Sequence, residues 1–485
     1  MKRIALLLLL LLSIYAVTAY FNDAVKINGM ATFPLDDAWI FWGFSQTFAE
    51  TGVFSINPVT PPGAGITSPA YMLFLALFLK LGLTNEFMVN LVFSTVLLGG
   101  TAFLLFFIID FEIKDSVIAF FPAVFFILDP RVATIANSGM ETFLFIFVEL
   151  LIFYLLQRNK LPLIFLFIGL GIWIRPEILI FLPIILLFYR NLLKWQDILY
   201  CVPPFLAYFI FLKLFTGNFW LNTAAAKYDF YSYISRWDYL VASLKYFGKT
   251  VFPFILIFLI FSLIRFKEFK EHKTLVVMVL YILVFWLAFL VYLPVLYHSG
   301  RYIFPLVPLL IAIAWFSFKN FILWSRYVKY GIYVVLFAAL VVGVLNFERE
   351  KKGFANVNRD FLQRHIKLSF WIKENLPAKA KIAAHDIGAL GYFTGREIID
   401  MVGLLDKRSL GISRDPEKLK AFLDEKKCEY IAVLNSWFVV LNSELLYETP
   451  TQGRARFQLY RYSKDTEVVR LDLWTKGWKS VKINP

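Results

Sequence analysis

Up to Asn346 the chain is a succession of long apolar runs separated by short basic clusters, and no other feature constrains its fold as strongly. A bilayer core about 30 Å thick takes roughly 20 apolar residues per helix. In lipid every backbone polar group must be satisfied within the protein, which leaves helices for runs of this kind. Composition agrees: 59% of the 485 residues are hydrophobic and 17% charged, where a soluble domain carries about 45–50% and roughly 25%. Soluble enzymes and disordered chains are excluded together. So is a disulfide scaffold, because Cys201 and Cys428 are the only cysteines and sit in unlike surroundings. The net charge of +14 comes in clusters between the apolar runs. That is the charge pattern that orients membrane helices, and no nucleic-acid partner is expected.

The first run, Ile4 to Phe21, follows Met1-Lys2-Arg3 and could be a signal peptide with Ala19 near its cleavage site. A retained helix fits the remaining topology better. Further runs are Phe87–Ile109, Val117–Ile135, Met140–Leu156, Leu161–Ile174, Ile178–Phe188, Ile198–Phe215, Thr250–Ile264, Thr274–Tyr297, Tyr302–Phe318 and Tyr330–Asn346. With Lys2-Arg3 inside, the basic loops 157–160, 190–194, 265–273 and 319–329 also fall inside. Two conditions attach to this arrangement. Ser68–Leu83 must stay outside as a juxtamembrane helix, and Leu161–Phe188 must be a hairpin with Arg175-Pro176-Glu177 at its outer tip. A continuous helix there would hold two charges and a proline near mid-membrane, each costly, though one kinked helix with a snorkelling arginine is the alternative. The expectation is an α-helical polytopic plasma-membrane protein of about eleven spans, with its N-terminus cytoplasmic. Residues 1–346 form the transmembrane domain, with the first outer loop at 22–86. Residues 347–485 form an extracytoplasmic α/β domain, in which Asp415–Lys426 reads as a surface helix and Tyr430–Leu434 as a strand.

Polar residues collect on the outer side. The first loop carries Asp36-Asp37, a run of Pro and Gly from Pro58 to Gly65, and Thr67-Ser68-Pro69. Asp129-Pro130-Arg131 and Ser138-Gly139-Met140-Glu141 stand at the mouth of a helix pair. Arg175-Pro176-Glu177, Asn222, Lys227, His298, Arg301 and Tyr302 share that face by topology. Carboxylates and cations at a membrane surface suit a phosphate-bearing lipid and a hydroxyl acceptor. Structural readings stand beside these. Asp36 or Asp37 could simply cap the helix starting at Ala38. Glu141 could favour a helix N-terminus, the aromatic residues could form interface belts, and His298 could be a structural hydrogen-bonder. No Walker-type loop, zinc-spaced cluster or Ser/His/Asp set is present.

The set Asp36-Asp37-Ala38-Trp39-Ile40, Gly65-Ile66-Thr67-Ser68-Pro69, Ser138-Gly139-Met140-Glu141-Thr142 and Ile174-Arg175-Pro176-Glu177 resembles membrane glycosyltransferases of the GT-C class. Within that class it is most similar to the branch holding the mycobacterial terminal arabinofuranosyltransferases. Weaker matches are Asn222-Thr223 with Ala226-Lys227, Arg301-Tyr302, and Asp386-Ile387-Gly388-Ala389-Leu390-Gly391-Tyr392. The resemblance implies a polyprenyl-phosphate sugar donor and a first-loop aspartate as base, and it leaves the sugar open.

The expected chemistry is transfer of a sugar to a hydroxyl of a glycan, lipid or protein acceptor on the outer face. Asp36 or Asp37 supplies the base, with Asp36 preferred from its place in the resembling motif. Arg175 meets the leaving phosphate, with Lys227 and Arg301 behind it. Glu141 and Glu177 orient these cations or bind sugar hydroxyls, while Arg131, Asn222, Tyr302 and His298 complete the donor-binding set. No cofactor is required, and a divalent metal at Asp36 stays open. The alternative is a lipid-linked-sugar flippase or transporter using the same face without bond cleavage. Transporters, however, often show inverted repeats with midplane sites.

Overall fold

The computed structural model describes residues 2–249, 273–322, 326–450 and 455–474. The expected span Thr250–Ile264 and nearly all of the basic loop 265–273 lie outside the described residues. Four described helices are long and apolar enough to cross a membrane: Lys2–Asn28, Glu86–Ile113, Trp195–Thr216 and Lys273–Tyr292. The expected span Val117–Ile135 is two helices, Ser116–Ile127 and Pro130–Ala136, bent by 61°. The bend falls at Asp129-Pro130. The Asp129 carboxylate caps the second helix through the Arg131 amide at 3.0 Å, and Pro130 takes the first helical position where no N–H is needed. The expected run Tyr330–Asn346 lies within the long helix Arg326–Phe361, and others appear as shorter apolar helices, among them Thr142–Leu156, Leu161–Gly171 and the stretch Pro176–Phe188. Between the last two the chain breaks at Arg175, whose backbone is extended at φ −155° and ψ 133°. The following proline disfavours helix at that residue.

Two compact units result. The first comprises Met1–Ala31, Phe87–Tyr208 and Ile234–Ala355; the second comprises Thr32–Glu86, Phe209–Tyr233 and Asn356–Pro485. The first loop and residues 209–233 fall in one unit with the tail.

The second unit is built on a mixed sheet. Its strands are β1 Lys381–Ala384, β2 Glu397–Asp400, β3 Tyr430–Leu434, β5 Glu444–Glu448 and β6 Phe457–Arg461, in the order β2-β1-β3-β6-β5. β1 runs parallel to both β2 and β3, and β3–β6 and β6–β5 are antiparallel. β4 Phe438–Leu441 and β7 Glu467–Arg470 pair separately. The helix Pro416–Glu425, capped by Asp415 through the Lys418 amide at 3.1 Å, lies between β2 and β3 in sequence. This agrees with the helix and strand read from the sequence.

The first loop packs on this sheet through specific polar contacts. The Asn57 amide donates to the carbonyls of Gly391 and Arg396 at 3.0 and 2.9 Å, and the Thr60 hydroxyl accepts from the Ile398 amide at 3.0 Å. Residues 209–233 are held by Phe230. Its ring enters the tail core among Met401, Leu419, Ile431 and Phe438, a burial that contributes roughly 1.5–3 kcal/mol. The juxtamembrane segment forms the helix Pro69–Lys80, started by Pro69 and by the Ser68 hydroxyl accepting from the Tyr71 amide at 3.3 Å.

The loop after β2 depends on one carboxylate. Asp400, 2% exposed, accepts from the amides of Val402 at 2.9 Å and Leu405 at 2.7 Å. A buried donor left unpaired costs roughly 1–3 kcal/mol. Asp400→Ala is therefore expected to destabilise the tail by about 2–4 kcal/mol. Faster hydrogen exchange of the Tyr430–Leu434 peptide in the full chain would show it, and unchanged exchange would refute the role.

Candidate active site

β1 lies between β2 and β3, so the chain leaving β1 turns to one neighbour and returns beyond the other. Crevices at the carboxyl ends of strands at such a reversal are where α/β sheets hold ligands. The residues there are His385, Asp386, Ile387 and Gly388, followed by the short helix Gly388–Thr394. The crevice is filled from the first loop. The Asp36 carboxylate accepts from the Gly388 amide at 2.7 Å through Oδ2 and from the Ala389 amide at 2.8 Å through Oδ1. A side chain at position 388 would collide with the Asp36 backbone carbonyl, and one at 391 would meet Ile56 at 2.6 Å. Glycine spacing in Gly388-Ala389-Leu390-Gly391 is therefore what lets the helices Asp36–Thr51 and Gly388–Thr394 touch.

Behind this clamp stands a charge cluster. His365 Nε2–H donates to Asp386 Oδ2 at 2.9 Å, and His385 Nε2 lies 3.6 Å from the same oxygen. His365 stacks on Phe361 at 4.3 Å between ring centroids. Burial, and then the negative charge of Asp386, push the Asp36 carboxyl upward against the pull of His365 and the two amides. Burial acts the same way on Asp386, but His385 and the His365 hydrogen bond outweigh it and hold that carboxyl low. Burial keeps His385 below its ordinary value.

Asp37 is differently placed. Its Oδ2 lies 3.3 Å from Lys227 Nζ, both side chains partly exposed. Together with Ile66, Thr67, Thr223 and Leu404 they line a recess of about 10 Å³. That is about the room of one water or one hydroxyl. Lys227 reaches it because the helix Thr223–Tyr231 buries Thr223, Ala226 and Phe230 on one face.

The other residues expected in the site, Asn222 excepted, belong to the first unit. Arg175 is 4% exposed and its Nη2 donates to Glu177 Oε1 at 2.8 Å. Its guanidinium carbon lies 5.1 Å from the Phe145 ring centre and 5.8 Å from that of Tyr302. Glu141 and Glu149, both buried, are within electrostatic reach of Arg175. Arg301 is buried and donates to the Tyr302 hydroxyl at 3.1 Å. Arg131 is held bidentately by Asp129 at 2.9 and 2.6 Å and donates to the Tyr246 carbonyl at 3.0 Å. The side chain of His298 lies outside the described residues. Asn222 sits in the second unit and is taken up below.

The structure thus separates the adjacent aspartates, brings Lys227 to Asp37, and sets Glu177 and Glu141 around Arg175. It adds Asp386, His365, His385 and Glu149, which the sequence reading did not assign. Asp386 heads a motif noted only as a weak match, and its position directly after a strand and before two glycines was the available signal. Among the described residues no group of three or more His, Cys, Asp or Glu side chains is arranged to hold a metal ion.

With the apolar helices and the strand-containing tail, this is the GT-C fold of polytopic membrane proteins. ArnT from Cupriavidus metallidurans shares it. The structure bound to undecaprenyl phosphate is similar with TM-score 0.60 at 11% identity, over 94% of this chain and 98% of that one. The apo structure gives 0.54 at 10%, over 94% and 97%. The arabinofuranosyltransferase AftD from Mycobacteria gives 0.48 at 12%, over 95% of this chain and 41% of that one. Residues 355–482 match a domain of unknown function, DUF8728. No curated protein matches the chain.

Gly388→Ala is expected to loosen the clamp by about 1–3 kcal/mol, the usual cost of overpacking. Deuterium uptake across the helix Asp36–Thr51 should then quicken roughly ten- to a hundredfold. Uptake like that of the parent chain would show that the close approach does not hold the loop.

Proposed function

We propose that the protein is a glycosyltransferase that moves a sugar from a polyprenyl phosphate to an acceptor hydroxyl on the outer face of the membrane. The observation that carries this reading is the hydroxyl-sized recess beside the Asp37–Lys227 pair. Fold alone does not decide function, but the likeness to ArnT, whose structure binds undecaprenyl phosphate, names a donor class that suits a membrane chain with buried arginines.

An acceptor hydroxyl is a weak nucleophile until a base takes its proton as the new bond forms. Asp37 is that base in this proposal, because both oxygens of Asp36 already accept backbone amides. The acceptor oxygen attacks the anomeric carbon, the proton passes to Asp37, and the carbon–oxygen bond to phosphate breaks with its electron pair leaving on the phosphate. Cations stabilise that developing charge. In the first unit Arg175, paired with Glu177, and Arg301 are the proposed cations for this role, and in the second unit Lys227 holds Asp37 toward the recess.

The two aspartates separate by experiment. Asp37→Asn keeps size and removes the proton acceptor, so release of polyprenyl phosphate from a sugar-loaded donor should fall about 10²–10⁴-fold with melting temperature unchanged. Asp36→Asn should lower the melting temperature as well, because one of its two amide partners meets an NH₂ in place of an oxygen. Full activity in Asp37→Asn would sink the assignment.

The outward placement of the tail has its own test. Cysteines replacing Lys160 and Lys418, both exposed, are introduced after removal of Cys201 and Cys428. In intact cells an impermeant thiol reagent should label position 418 and spare 160. The opposite pattern would reverse the topology.

A further inference from the structure

On the other side of the wall from the Asp37 recess the second unit holds a larger cleft, of about 320 Å³. The two share consecutive wall residues. Gly65, Thr223 and Leu404 face the recess, while Gly63, Asn222 and Leu405 face the cleft. The wall is thin because both glycines lie against Leu405. A Cβ at Gly65 would sit 2.5 Å from its side chain, and one at Gly63 would strike its carbonyl.

The lining chemistry is selective. Three acids, Glu397, Asp400 and Asp406, stand with three bases, Lys407, Arg408 and Lys426. Asp406 is bridged by Arg408 at 2.8 Å and Lys426 at 2.7 Å, Glu397 by Lys381 at 3.2 Å, and Asp400 is spent on backbone amides. Of the lining bases Lys407 alone has no ion pair among the described residues, so a single cation is all the cleft offers an anion. The other groups left to meet a ligand are uncharged. Asn218 stands at the exposed lip, and Asn222 is 8% exposed. Asn222 precedes the helix Thr223–Tyr231 yet makes no side-chain capping bond. Its amide bonds no described residue and stays open to solvent at the cleft wall. An amide with two donors and a carbonyl oxygen in a cleft of this size suits vicinal hydroxyls.

We propose that this cleft is a binding subsite for a neutral saccharide, held through Asn222. Under the transferase reading, on which only the naming of the occupant rests, it holds part of a glycan acceptor outside the Asp37 recess. A lipid chain would meet too many polar groups here, and a phosphate would find no unpaired cluster of cations.

The full chain in detergent micelles is titrated with uncharged disaccharides (maltose, mannobiose, galactobiose and arabinobiose) by saturation-transfer NMR, with inorganic phosphate as the competing probe. At least one disaccharide should bind saturably and resist displacement by phosphate. Asn222→Ala should weaken it tenfold or more, with melting temperature unchanged because the side chain makes no internal bond. Asn218→Trp, which fills the cleft from its exposed lip, should abolish binding. No saturable disaccharide, equal binding to both variants, or displacement by phosphate overturns the subsite. Binding is read without turnover, so absence of polyprenyl phosphate release would remove the transferase reading and leave the saccharide result standing.

Discussion

The pair of hydrogen bonds from the Gly388 and Ala389 amides to Asp36 is the contact on which the second unit depends. Hydrogen bonds to a charged acceptor contribute roughly 1.5–3 kcal/mol each, and these two join segments more than three hundred residues apart in sequence. Once Asp36 is fixed, the helix Asp36–Thr51 has a defined rotation, and every other site feature follows from that rotation. Asp37, the next residue, points about 100° around the helix and reaches Lys227 instead of the tail. The loop from Pro61 to Thr67 then runs across Leu404 and Leu405 and separates the recess from the cleft.

The tail domain thereby gains a definite task. An α/β sheet with a strand-order reversal offers a ready crevice at the end of β1, and a soluble protein would place a ligand phosphate there. Here a carboxylate of the same chain occupies it. The domain acts as a socket for the first loop, and its own ligand face moves to the cleft on the other side of β2, lined by Glu397 and the Asp406–Arg408 turn. Phe230 works toward the same end. By entering the tail core it brings Asn222, Thr223 and Lys227 to both sides of the wall with one short helix.

Much of this was legible in the sequence, and the unread part has identifiable causes. Apolar runs gave the helices because lipid removes alternatives for the backbone. Pro176 gave the break at Arg175, whereas the break at Asp129-Pro130 lay unread inside the expected span Val117–Ile135. The surface helix after Asp415 and the strand after Glu429 followed from periodicity and a capping residue. The packing of the first loop on the tail did not follow, because it is carried by Asn57, Thr60 and the glycines Gly63, Gly65, Gly388 and Gly391. None of these has a period to detect. Nor could the sequence say that Glu149 shares the burial of Arg175, since it lies about two turns into the helix Thr142–Leu156 and meets Arg175 only in the fold.

The adjacent aspartates show where pattern stops and geometry begins. Adjacent residues do not point the same way on a helix, so two neighbouring carboxylates divide their work, and the resembling motif points to Asp36 as the base. Hydrogen-bond accounting points the other way. A carboxylate that already accepts two amides must break one of them or share a lone pair to receive a proton from substrate, and its crevice is closed by Gly388. Asp37 has an ammonium at 3.3 Å and a hydroxyl-sized space beside it. Burial and the neighbouring charge of Asp386 raise the Asp36 carboxyl, which would suit a base if the group were open to an acceptor. Placed at the clamp, the same shift makes the attachment of the first loop sensitive to protonation. The two acids therefore act in series: Asp36 sets the helix, and the helix sets Asp37 against the recess.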